Sequence, residues 1–122
     1  MNRSPDEPSR EPAEYPPEID VQTTDSLIRR GEDFLLLDVR QPAEYEIASL
    51  PGAVLIPLGE LSGRLSELEP YRDKRIVVHC HHGGRSMNAV RGLRQLGFSG
   101  AQNLAGGIDL WSQAVDPQVP RY

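Results

Sequence analysis

Short apolar runs alternate with amphipathic stretches along most of this chain, and that alternation limits the folds open to it. Residues 34–39, FLLLDV, are apolar but for Asp38. A strand with one face in solvent alternates polar and apolar residues, so an unbroken apolar run marks a strand covered on both faces. AVLI (53–56) and RIVVH (75–79) have the same character, while Ile19-Asp20-Val21 and AQNL (101–104) are shorter strand candidates. Helical patterns lie between them. TTDSLIRR takes Thr23 or Thr24 as its cap and Gly31 as its stop, and QPAEYEIAS has Pro42 near its first position. LGELSGRLSEL carries leucines at 58, 61, 65 and 68, a helical spacing. SMNAVRGLRQLG aligns Met87, Val90, Leu93 and Leu96 on one face and stops at Gly97; IDLWSQAV follows Gly106-Gly107. Strands and helices in this order predict an α/β domain with a five-stranded, mainly parallel sheet and helices on both faces.

The chain ends differ from this body. Residues 1–17, MNRSPDEPSREPAEYPP, hold five prolines and almost no large apolar side chain, which predicts an extended, acidic tail before a domain over residues 18–122. At 122 residues the chain is long enough for one core. The net charge of -5 argues against non-specific nucleic-acid binding. Charge is unevenly spread, however: residues 72–94 carry Arg72, Lys74, Arg75, Arg85, Arg91 and Arg94 against Asp73 alone. No stretch is apolar for long enough to span a membrane, and nothing near the start resembles a signal peptide. The single cysteine has no partner for an internal disulfide. A free thiol in a reducing compartment, the cytoplasm, is the expectation.

That cysteine lies in VVHCHHGGRS, residues 77–86, where Cys80 and all three histidines (His79, His81, His82) are consecutive. The segment follows a predicted strand and precedes a helix, the place where open parallel sheets build sites. Gly83 and Gly84 let backbone N–H groups turn toward one point, and with the helix N-terminus they form an anion-binding nest. A thiolate there is stabilised by those N–H groups, the helix dipole and Arg85, and becomes a nucleophile at neutral pH. A structural zinc site is not expected, because no cysteine or histidine exists outside residues 79–82 to complete a ligand set. A cysteine phosphatase or arsenate reductase is the sharper alternative. Their loops place five residues between cysteine and arginine; this one has His81-His82-Gly83-Gly84, only four. A shorter loop has one N–H group fewer and better fits a single sulfur atom than a tetrahedral oxyanion.

Several separated elements resemble the rhodanese homology family of sulfurtransferases. Asp38-Val39-Arg40 with Glu44-Tyr45, Pro51-Gly52-Ala53 with Ile56-Pro57, the loop Cys80 to Arg85 followed by Ser86, and Leu96-Gly97-Phe98 followed by Leu104-x-Gly106-Gly107-x-x-x-Trp111 are similar to its ordered motifs. The resemblance spans about residues 19–115. The closing DPQVPRY also resembles rhodanese domains fused to adenylating enzymes. One element departs: Ala48-Ser49 stands where the family usually has Gly-His, which puts the local turn in question.

The resemblance implies a three-layer fold and ping-pong sulfur transfer from a donor such as thiosulfate, through a Cys80 persulfide, to cyanide in vitro or a thiol or carrier protein in vivo. It needs no cofactor and no metal, and a monomer suffices. Cys80 and Arg85 are the catalytic candidates. His81, His82, Gly83, Gly84, Ser86 and Arg40 are the substrate-binding candidates, with Ser86 also a candidate helix cap and Arg40 alternatively a structural ion pair. Asp38 is expected to hold a backbone turn, and Met87 and Trp111 to pack in the core. A non-catalytic rhodanese-like binding module is the other reading, which retention of Cys80 in a full loop disfavours.

Overall fold

The computed structural model describes residues 15–122, and a five-stranded sheet organises them. The strands are β1 (Glu18–Ile19), β2 (Leu35–Asp38), β3 (Val54–Leu55), β4 (Ile76–His79) and β5 (Ala101–Leu104). Their order is β1-β5-β4-β2-β3, and every pairing is parallel. The helices are α1 (Val21–Arg29), α2 (Pro42–Ile47), α3 (Gly84–Gln95) and α4 (Gly107–Ala114), with a 3₁₀ segment over Leu58–Tyr71. The tail expected over residues 1–17 falls largely outside the described residues. Its last three residues, 15–17, are hydrogen-bonded to the domain.

The unbroken apolar runs are two-faced strands, as their composition predicts. Leu35, Leu37, Ile76 and Val78 pack with Leu61, Leu68, Val90 and Leu93 on one face of the sheet. Leu36 and Val77 pack with Leu27, Ile108 and Trp111 on the other. The intervening residues of one strand thus serve opposite cores. The result is three layers, with α3 and the 3₁₀ segment on one side and α1 and α4 on the other.

Four local expectations change. Asp20, not Thr23 or Thr24, caps α1: its Oδ1 accepts the Thr23 N–H at 2.6 Å, and this turn ends β1 at Ile19. β3 is a two-residue edge strand with Val54 exposed, not a buried one. The leucines of LGELSGRLSEL do face the core, but Gly59, Gly63 and Pro70 are poor α-helix formers, and Arg64 breaks the helical dihedrals (φ -125°, ψ 21°). Helix α3 begins at Gly84, earlier than the sequence pattern indicates, so the loop after Cys80 has only three residues before the helix.

Candidate active site

Cys80 follows the last residue of β4, at the carboxyl end of the central strands, and is buried. Two backbone donors converge on its Sγ, the Gly83 N–H at 3.1 Å and the Ser86 N–H at 3.3 Å, and the Ser86 hydroxyl lies 3.3 Å from it. Gly83 caps α3 with φ 115°, a backbone conformation that side chains other than hydrogen rarely adopt. That turn aims the start of α3 at the sulfur. Burial pushes the Cys80 thiol up; the Ser86 hydroxyl and the Ser86, Gly83 and Arg85 N–H groups outweigh it, and the thiol lies below its ordinary value. Gly84 and Arg85 are the first two residues of α3, so Ser86 is the third and does not cap the helix. Its hydroxyl instead lies between the sulfur and Asn103 Oδ1, and its single hydrogen serves one of the two acceptors at a time.

The loop is held from behind by α4. The Ile108 N–H donates to the Cys80 carbonyl at 3.0 Å and the Asp109 N–H to the His81 carbonyl at 3.1 Å. These bonds use the orphan donors of a helix N-terminus. They fix the loop carbonyls outward and leave its N–H groups facing the sulfur. Gly107 permits the approach, because a Cβ there would lie 2.4 Å from the His81 carbonyl oxygen and 2.6 Å from that of Cys80.

Arg85 does reach the mouth, but not as a free cation. It forms a bidentate ion pair with Glu44, at 2.7 and 2.8 Å. Glu44 also accepts the Gln41 N–H at 3.0 Å and the Tyr122 hydroxyl at 3.0 Å. The Arg85 bond above all, together with these, holds its carboxyl down to about 2.

Arg40 is a correction. It is fully buried, paired with Asp38 at 2.6 Å, and it donates to the Ala48 carbonyl at 2.7 Å and the Tyr122 oxygen at 2.9 Å. It is buried away from solvent and ties the end of β2 to the turn after α2 through the Ala48 carbonyl. Asp38 accepts both the backbone N–H and the side chain of Arg40, the turn-holding role expected of it.

The histidines separate by burial. His79 is fully buried with neither ring nitrogen hydrogen-bonded, and burial lowers it to about 4. His81 stacks between His82 (centroids 3.9 Å apart) and Tyr122 (4.0 Å, 8° between planes), so three rings form one wall of the mouth. Among the described residues, His81, His82 and Asp109 bring one metal-ligating atom each within 4.8 Å of the others, but Asp109 is bonded to Arg121 and Gln113. Met87 and Trp111 pack with the cores. No helix among the described residues is long and apolar enough to cross a membrane.

Asn103, Glu44 and Tyr122 were not singled out as site residues by sequence reasoning. Asn103 did leave a signal, as one of two adjacent polar residues, with Gln102, inside a buried four-residue strand. Glu44 and Tyr122 were visible only as parts of larger motifs, Asp38-Val39-Arg40 with Glu44-Tyr45 and the closing DPQVPRY.

The family model for the rhodanese-like domain matches residues 20–114. A sulfurtransferase of Allochromatium vinosum is 35% identical over 102 residues, covering 84% of this chain and 94% of its own length. The adenylyltransferase and sulfurtransferase MOCS3 of Arabidopsis thaliana is 34% identical over 110 residues, covering 79% of this chain and 24% of its own. The chain spans only 20% to 30% of the length of four such plant relatives. The human single-domain sulfurtransferase TSTD1 superposes with a TM-score of 0.71 at 28% identity, covering 82% of this chain and 98% of that one.

Proposed function

The chain belongs to the rhodanese-like domain family, and from that premise we propose that it transfers sulfane sulfur through a persulfide on Cys80. The Cys80 thiolate attacks the outer sulfur of a donor such as thiosulfate. The donor's S–S bond breaks, sulfite leaves with the electron pair, and Cys80 carries a persulfide anion. A nucleophilic acceptor (cyanide in an assay, a thiol or a carrier protein in a cell) then takes the terminal sulfur and returns the thiolate. No net redox change and no cofactor are involved. The single free thiol suits a reducing compartment such as the cytoplasm, and one copy of the chain holds every group the reaction uses.

The observation that carries this reading is the pair of backbone N–H donors at 3.1 and 3.3 Å around one sulfur, with the Ser86 hydroxyl beside them at 3.3 Å. They stabilise the thiolate before attack and hold the inner sulfur of the persulfide after it. They also weigh against a non-catalytic module, in which an activated buried thiol has no use. A phosphatase needs an arginine free to fork around oxyanion oxygens, and Arg85 already forks around Glu44. Intact mass spectrometry after incubation with thiosulfate or a thiosulfonate tests the reading. Wild type should gain one sulfur atom and release it to cyanide as thiocyanate, and Cys80→Ser should gain none. Sulfur bound equally by both proteins, or by neither, would sink the persulfide mechanism.

A further inference from the structure

The charges at the mouth of the site are balanced in pairs. Arg85 is closed on Glu44, Arg121 on Asp109, and Arg40 is buried on Asp38. The remaining wall is the ring stack of His82, His81 and Tyr122. The Arg85–Glu44 pair is supported from three sides: the Gln41 N–H and the Tyr122 hydroxyl donate to Glu44, and Arg40 donates to the Glu44 backbone carbonyl at 3.3 Å. Glu44 sits in the first turn of α2, where its carboxylate completes a capping box with Gln41. It is therefore held in position by its own helix as well as by Arg85.

Taken with the sulfur-transfer reading, on which this inference rests, we propose that Glu44 sets donor specificity by occupying Arg85, so that the site favours sulfane donors of single negative charge over dianionic thiosulfate. A dianion must either displace Glu44 from both guanidinium bonds or approach a thiolate whose neighbouring cation among the described residues, Arg85, is already ion-paired. A monoanionic thiosulfonate faces half that repulsion, because it carries a methyl group where thiosulfate carries its second charged oxygen. Its reaction balances in the same way: Cys80 thiolate takes the outer sulfur of methanethiosulfonate, the S–S bond breaks, and methanesulfinate leaves with the electron pair.

The test compares kcat/KM for methanethiosulfonate and for thiosulfate, with cyanide as acceptor, in wild type and Glu44→Gln. The glutamine keeps an oxygen for the Gln41 N–H but no charge for Arg85. Thiosulfate kcat/KM should rise about tenfold in Glu44→Gln and methanethiosulfonate kcat/KM by much less. Salt supplies a reading that needs no variant. Wild-type thiosulfate kcat/KM should stay flat or rise with ionic strength, as for a dianion meeting an acidic protein without an available cation. A steep fall with salt in wild type, or an unchanged donor ratio in a folded Glu44→Gln, would overturn the role of Glu44 while sulfur transfer stands. Failure of both donors to load wild-type Cys80 would overturn the sulfur-transfer reading, and this inference with it.

Discussion

At the scale of single residues, Ser86 has the most work concentrated in it. Its N–H and its hydroxyl both meet the sulfur, and the hydroxyl is oriented by Asn103, whose Nδ2 donates in turn to Glu18 at 3.1 Å. Hydrogen bonds to a charged acceptor contribute roughly 1.5–3 kcal/mol. Ser86→Ala should therefore slow iodoacetamide alkylation of Cys80 at pH 7 by about tenfold and, by leaving Asn103 Oδ1 without a donor, lower the melting temperature by several degrees; an unaltered rate would mean that the backbone N–H groups suffice. His79 has a different consequence. It is buried and neutral, lowered to about 4 from 6.5. Between those values the unfolded chain binds a proton that the folded chain refuses, so stability falls as pH drops from about 6.5 to about 4, by on the order of 3 kcal/mol. His81, also lowered, adds to the same window. The Glu44 contribution is lost in a lower window, as pH falls from about 4.5 toward 2. Urea unfolding at pH 7 and pH 4.5 should show most of the upper loss in wild type and little of it in His79→Leu. The sequence revealed this site where its parts are contiguous: Cys80, Gly83, Arg85 and Ser86 follow one another, and their spacing carries the chemistry. It concealed the partners that arrive from elsewhere. Glu44 lies 41 residues from Arg85 and Tyr122 lies 78 from Glu44, and no local pattern records a contact made only by folding.

At the scale of elements, the apolar runs revealed the strands because burial on two faces demands such composition. The helices were less legible wherever backbone chemistry overrode spacing. Leu58, Leu61, Leu65 and Leu68 satisfy a 3₁₀ segment as well as an α-helix, since both return a side chain to one face every three or four residues. The start of α3 was hidden because Gly84 and Arg85 bear no cap signature; the turn is made by the dihedrals of Gly83. Helix α4 read as a core element on account of Trp111, yet its N-terminus is what braces the loop. Gly107→Ala separates these roles. The new methyl would sit in a positive-φ backbone (φ 62°) and overlap the carbonyls of Cys80 and His81. Backbone strain alone costs about 1–2 kcal/mol, and pushing α4 away breaks both bonds to the loop. The expected outcome is a folded protein with a lower melting temperature and alkylation of Cys80 slowed more than tenfold. Normal alkylation in a destabilised protein would show that the loop keeps its shape without α4.

At the scale of the molecule, the question is where the folded unit begins. β1 has only two residues, too few to hold an edge strand by themselves, and the chain before it supplies the missing bonds. Pro17 accepts the Asn103 N–H at 2.7 Å, Pro16 accepts from Gln102 at 3.0 Å, and Arg94 donates to Tyr15 at 2.8 Å. The Tyr15 ring lies under the Arg75 guanidinium, 4.5 Å from its centroid. Removal of residues 15–17 would strip the partner from a buried backbone N–H and lose a cation–π contact, together about 2 kcal/mol. A chain beginning at residue 18 should then melt roughly 10 °C below one beginning at residue 15. The effect should also reach the chemistry. Asn103 is bonded to Pro17 through its backbone, to Glu18 through its amide nitrogen and to Ser86 through its amide oxygen, so the entering chain, the edge of the sheet and the thiol form one connected path. Slower Cys80 alkylation in the shorter protein, measured well below its melting temperature, would show that this path positions Ser86. Equal melting and equal alkylation in the two proteins would put the start of the functional unit at β1 itself.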